Sequence, residues 1–256
     1  MARLLSIAAG VHPMLPPEEM VSASAAAGWP ACGIWFDGAT WTDATTRGVK
    51  RRLDDTGIIA LDIEPIIPSD GGDDHAERLI AAAAELGIGN ILFTSRLKDQ
   101  AATTARYAEC CDMALPHSIR VVCEFLPIFP LNSLPMAKEI VAAANRPNGG
   151  ILIDNLHLSR SGGTPADVAA LDLSLMPYIQ IADAPAGRPE SFESLLDEAI
   201  NGRLCPGEGG LPIAELLTVV PDVPISFEVR SKFLRENFTD PVERARHLLK
   251  MSSHLA

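Results

Sequence analysis

Four side chains with oxygen donors, Glu124, Asp154, Gln180 and Glu228, each sit at or near the end of an apolar run in the second half of the chain: RVVCE, GGILID, YIQ and VPISFE. Donors delivered by successive strands of a barrel would converge at its mouth, which is how a divalent metal is held. Three carboxylates and one neutral amide oxygen make an all-oxygen set, suited to Mg2+ or Mn2+ rather than zinc. A substrate with adjacent carbonyl and hydroxyl oxygens could chelate such an ion. The cation would then polarise the carbonyl and stabilise the enediolate formed when a neighbouring C–H is deprotonated. Glu124 and Glu228 arrive from nonadjacent runs and could flank that substrate, one as base and one as acid. Any one acid at a strand end can instead cap a following helix or pair with a loop Arg. The recurrence of donors on four successive runs is what favours a shared site.

The elements that would position these residues follow from hydrophobic patterning. Short Ile-, Leu- and Val-rich runs at about 3–10, 32–36, 58–64, 88–94, 119–125, 150–154, 177–182 and 223–229 alternate with longer Ala-rich amphipathic segments. Most of the short runs are continuously apolar, as parallel strands covered on both faces are. Helices are expected over 16–28, 43–56, 73–86, 99–116, 132–145, 164–172, 191–201 and 239–252, with a shorter one near 212–219. Eight strand–helix pairs in 256 residues predict one (β/α)8 barrel domain spanning 1–256. A doubly wound sheet would need a Gly-rich phosphate loop after an early strand, and neither GxGxxG nor GxxxxGK[ST] stands there. The richest glycine cluster, Gly207-Glu208-Gly209-Gly210, reads as a tight turn.

Composition narrows the partners. A formal net charge of −12 repels phosphate backbones and anionic lipid, which disfavours nucleic acid and membranes and leaves a small-molecule substrate. The five cysteines, Cys32, Cys110, Cys111, Cys123 and Cys205, have no CxxC or zinc spacing and read as small buried hydrophobes. Pro13, Pro16 and Pro17 interrupt the N-terminal apolar stretch, so it reads as a first strand rather than a leader, and a cytoplasmic location is expected. His12, Trp35 and Glu64 end the first three runs and are candidates for the pocket wall. His157, three residues after Asp154, is a candidate substrate contact; a structural histidine bonded to a backbone carbonyl is the alternative. Arg188, in the loop AGRPE, is either a solvated charge or a clamp for a substrate carboxylate.

With VVCEFLP, GGILIDNLHLSRSGG, YIQIADAPAGRPE, LCPGEGGLPI and PISFEVRS, the second half resembles the xylose-isomerase-like barrels. These include sugar isomerases and epimerases, hydroxypyruvate isomerases, inosose dehydratases and endonuclease IV. In ketose epimerases of this kind a Glu, an Asp, a His and a Glu from strands five to eight bind metal, and a second His three residues after the Asp contacts the sugar. The resemblance maps these onto Glu124, Asp154, Gln180 and Glu228, with His157 as the second histidine. Gln180 departs from the commoner His, and hydroxypyruvate isomerases, whose strand also reads IQIA, look like a precedent. The carboxylate that epimerases often carry after the first Glu has no equivalent in LPIFPLN, which weakens a C3-epimerase assignment.

The resemblance implies a divalent-metal-dependent isomerase or epimerase of a small ketose or hydroxy-keto acid, with isomerisation ahead of epimerisation. The alternatives are a dehydratase of a cyclic polyol ketone or a dehydroshikimate-like compound, and a noncatalytic barrel subunit. Family members often form dimers or tetramers, which leaves a homo-oligomer open.

Overall fold

In a computed structural model that describes residues 3–255, eight strands pair in parallel and in sequence order, and the last pairs with the first to close a barrel. The strands are β1 (Leu5–Ile7), β2 (Ala31–Trp35), β3 (Ile59–Ile66), β4 (Asn90–Phe93), β5 (Arg120–Glu124), β6 (Gly149–Asp154), β7 (Ile179–Ile181) and β8 (Ile225–Phe227). Around them run α1 (Pro17–Ala27), α2 (Asp43–Thr56), α3 (Ala76–Leu86), α4 (Gln100–Ala114), α5 (Leu134–Ala144), α6 (Asn155–Arg160), α7 (Pro165–Ala169), α8 (Phe192–Asn201), α9 (Ile213–Val219), α10 (Lys232–Asn237) and α11 (Pro241–Ser252). Every run expected to be a strand is one, and most differ from the reading only at their ends.

The sequence did not predict α6 and α10. Each has six residues, too few for a helical period to show, and both are started by a local cap. Ser231 accepts the N–H of Leu234 to start α10, and Asp154 accepts the N–H of His157 to start α6. Elsewhere Thr42 and Thr164 close capping boxes on α2 and α7, and Gly57 and Gly87 end α2 and α3 in left-handed backbone.

Because side chains alternate along a strand, the strands have two different interiors. Residues facing outward, such as Val121, Cys123, Ile151 and Ile153, join the large core beneath the helices. Facing inward, Ala31, Leu61, Leu92, Val122, Leu152 and Tyr178 form a separate apolar plug. Two residues further along β5 and β6, on the same inward face, come Glu124 and Asp154. All five cysteines are free and buried. No helix among the described residues is long and apolar enough to cross a membrane.

Candidate active site at the barrel mouth

The polar side chains at the C-terminal ends of the strands open into a cavity of about 320 Å3. Trp35 ends β2, Glu64 lies two residues before the end of β3, Thr94 and Arg96 follow β4, and Glu124 ends β5. His157 comes from α6, Arg203 from the segment after α8, and Glu228 and Arg230 from the end of β8. Gln180 lies in register between Asp154 on β6 and Ser226 on β8, so all three face the barrel interior.

Glu124, Asp154 and His157 each offer a ligand atom, and these atoms all lie within 4.8 Å of one another. Asp154 is fully buried and used on both oxygens: Oδ1 accepts the His157 N–H at 3.0 Å, and Oδ2 accepts from Arg203 at 2.5 Å. The same guanidinium reaches Glu228 Oε2 at 3.1 Å and His157 Nε2 at 3.1 Å. A guanidinium has no acceptor, so Nε2 accepts and the ring proton of a neutral His157 sits on Nδ1. Arg203 is held by its own backbone, with its N–H donating to the Arg230 carbonyl, and by its Nε donating to the Ala199 carbonyl.

Burial and mutual repulsion set the charges. Burial raises Asp154, but the charges of Arg203 and His157 and their hydrogen bonds override it and hold the carboxyl at about 2. Burial, then Glu228 and Asp154, pushes Glu124 well above the usual carboxylate range. Glu228 is raised by burial to about 7, against the pull of Arg203 and Arg230. Glu64 is raised strongly by burial and by Asp62, Glu228 and Glu124. His157 is lowered to about 4 by burial despite the neighbouring Asp154, so its ring is neutral at physiological pH.

These residues suit a divalent cation. Four buried carboxyl groups, Glu64, Glu124, Asp154 and Glu228, share Arg203 and Arg230 as the guanidinium charges that act on them, and a bound divalent cation would let the raised Glu64, Glu124 and Glu228 give up their protons. The Gln180 amide is fully buried, and neither its oxygen nor its nitrogen has a protein partner. A buried amide left in that state costs about 1–3 kcal/mol per group unless something else satisfies it.

Not every candidate lines this cavity: Asp154 and Gln180 are fully buried and are not among its lining residues. Arg188 donates through Nε to the Arg160 carbonyl and lines a separate hollow with Asn132 and Arg160. His12 is buried beside β1, with Nδ1 3.2 Å from an Arg244 nitrogen, and is not among the cavity residues. The cationic lining comes instead from Arg96, over the Phe129 ring at 4.8 Å, and Arg230, over Trp35 at 5.9 Å. Arg230 needs Gly10: a Cβ there would lie 2.9 Å from the Arg230 stem and 2.9 Å from Glu228 Oε1. The sequence reading missed Arg96, Arg203 and Arg230. Arg96 and Arg230 follow strand ends and could have been found by the rule that singled out Glu124, whereas Arg203 lies between α8 and the glycine turn with no strand to mark it.

The glycine turn is built around Asp183, which accepts the N–H groups of Gly207, Gly209 and Leu211, while Glu208 accepts that of Cys205. Because Asp183 also pairs with Leu204, the residue after Arg203, the turn anchors the arginine.

A 3-dehydroshikimate dehydratase of Pseudomonas aeruginosa is 26% identical over 93% of this chain and 42% of its own length. An inosose isomerase of Halalkalibacterium halodurans is 28% identical over 51% of this chain and 45% of its own. The chain thus spans less than half the length of these curated relatives. Among solved structures, the IOLI protein with a binding zinc atom superposes with a TM-score of 0.83 at 15% identity, covering 98% of this chain and 97% of that one. A xylose isomerase-like TIM barrel/4-hydroxyphenylpyruvate dioxygenase fusion protein has the same TM-score at 22% identity, covering all of this chain and 43% of that one. The profile described as "Xylose isomerase-like TIM barrel" matches residues 21–251, and with that span matched the chain belongs to the xylose isomerase-like TIM barrel family.

Proposed function

We propose that this cavity removes a proton beside the carbonyl of a small hydroxy-ketone that carries a carboxylate, and that loss of a β-hydroxyl as water completes the reaction. Glu124, Asp154, Gln180 and Glu228 would hold one divalent cation, Mg2+ or Mn2+, which when bound polarises a carbonyl oxygen. Glu228 takes the proton through Oε1, the oxygen that Arg203 does not engage. The C–H electron pair becomes the new double bond, the C–O bond breaks, and Glu124 supplies the proton that lets the hydroxyl leave as water. His157, neutral and fixed by Asp154 and Arg203, holds one wall of the cavity in place. Leu126, Ile128, Leu196 and Ile200 add an apolar part to the lining.

The observation that carries this reading is the cationic lining: Arg96, over the Phe129 ring, stands in the same cavity as the acid cluster, with Arg230 in the lining as well, and a guanidinium there can clamp a substrate carboxylate. The sequence reading put isomerisation ahead of dehydration. The cationic lining, and a match to the dehydratase that runs along 93% of the chain, support the reading that puts dehydration first. Isomerisation stays as the second reading because an inosose isomerase aligns with half of the chain and the proton abstraction is shared.

The test is incubation of the metal-loaded protein in deuterium oxide with 3-dehydroshikimate and with inososes, followed by mass spectrometry. Dehydration yields a product lighter by one water, and isomerisation yields one of unchanged molecular formula apart from the deuterium it carries. A folded, metal-loaded protein that neither dehydrates any of these substrates nor exchanges deuterium into them removes the proposal.

A further inference from the structure

We infer that Arg203 is a built-in rival of the divalent cation: its guanidinium holds the acid cluster together when no metal is bound and weakens the metal's affinity when one is. The inference rests on the proposed cation site. Two of the three carboxylates proposed as ligands already spend an oxygen on Arg203, Asp154 through Oδ2 and Glu228 through Oε2. Because Asp154 Oδ1 is taken by the His157 N–H, a cation that binds Asp154 must share an oxygen with an existing donor.

The guanidinium is in no position to move aside. Arg203 is about 1% exposed, its Nε is held by the Ala199 carbonyl, its terminal nitrogens by Asp154, Glu228 and His157, and its backbone N–H by the Arg230 carbonyl. Nor does its charge switch off, because a guanidinium beside carboxylates keeps its proton. A permanent positive charge therefore shares two carboxylates with any incoming cation, in a buried site where charge repulsion is poorly screened.

Arg203 also aligns those carboxylates, which acts in the opposite direction by pre-organising the site. The alignment is partly redundant, since Asp154 is independently fixed as the cap of α6. The repulsion has no such backup, so it decides the sign. A second consequence concerns the metal-free chain. Without a cation, Glu124, Asp154 and Glu228 stand buried at the barrel mouth, and Arg203 is the buried guanidinium that bridges Asp154 and Glu228. The arginine lets the barrel fold before it finds metal, at the cost of a looser grip afterwards.

The experiment is Mn2+ titration by calorimetry into chelator-stripped full-length protein, together with thermal melts with and without Mn2+, for the wild type, R203M, R203Q and R203K. R203M and R203Q should bind Mn2+ at least tenfold more tightly than the wild type. They should melt lower when stripped and recover most of that loss on loading, so that Mn2+ raises their Tm more than it raises the wild type's. R203K, which keeps the charge, should stay within about threefold of wild-type affinity. Should R203M not fold, R203Q retains donors for Asp154 without the charge and carries the same comparison. Equal or weaker Mn2+ binding by the uncharged variants overturns the rivalry and leaves the cation site standing. Absence of binding by every variant and by the wild type, with Mg2+ and Zn2+ also tried, overturns the cation site and the rivalry with it.

Discussion

The inside of this barrel changes character within two residues along a strand. At Val122 and Leu152 it is an apolar plug, closed by Tyr178, whose hydroxyl donates to Asp62. At Glu124 and Asp154, on the same strands and the same inward face, it is a cluster of acids around a buried arginine. The plug lowers free energy by excluding water, roughly 25 cal/mol for each Å2 of apolar surface it buries. The mouth raises it by packing like charges together, as the upward shifts of Glu64, Glu124 and Glu228 record. The lower layer supplies the rigidity on which the upper layer can hold groups that would otherwise move apart.

That division can be broken by substitutions that should affect one layer and spare the other. The largest effect is expected at the mouth: Glu228→Gln should leave the melting profile close to wild type while lowering turnover roughly a hundredfold to ten-thousandfold, measured as steady-state rate on the substrate that exchanges deuterium. A variant that unfolds instead would mean that the mouth is structural. In the plug, Leu152→Ala should cost about 2–5 kcal/mol in urea denaturation while the folded fraction keeps its activity. Loss of activity without loss of stability there would dissolve the distinction.

A third test uses pH and a buried group outside both layers. Burial, helped by Arg244, lowers His12 to about 4, so the folded chain keeps this ring neutral where the unfolded chain, with a histidine near 6.5, takes up a proton. At this site the unfolded state then binds more protons below pH 6.5, so the His12 contribution to stability should fall as pH drops from 6.5 towards 4 and stay flat above about 7, while the raised Glu64, Glu124 and Glu228 act with the opposite sign. The contribution is about 3 kcal/mol across that window at roughly 1.4 kcal/mol per pH unit, and His12→Gln should remove that part of the slope in denaturation curves at pH 7.5 and 5. The smallest effect sharpens the mouth itself: Arg96→Met should raise KM about tenfold to a hundredfold for a carboxylate substrate and leave that for its neutral analogue unchanged. Equal changes for both would show that Arg96 packs rather than recognises.

Much of this was legible in the chain because a parallel strand buried on both faces has to be apolar, so its one acid or amide at the exit stands out. Glu124, Asp154, Gln180 and Glu228 each break such a run, and the structure puts Glu124 and Asp154 together with His157. The helical pattern identified the long helices but could not reach α6 or α10, whose six residues are set by a capping side chain rather than by periodicity. Arg203 was hidden for a different reason. Its position follows from an antiparallel bridge of its neighbour Leu204 to Asp183 and from a glycine turn wrapped around that aspartate, contacts between segments about 20 residues apart that no local pattern encodes. Arg188, in the loop after β7, read equally as a solvated charge or a carboxylate clamp, and the structure gives it to the Arg160 carbonyl in a different hollow.

Asp154 begins a helix as well as facing the acid cluster, whereas Glu124 ends β5 with the next helix not starting until Leu134. Selection for foldability alone would therefore preserve an aspartate at the first position even in a descendant that had abandoned chemistry. The glutamate has no such second employer, so its fate in diverging copies of this chain would be the more trustworthy record of whether the work is still being done.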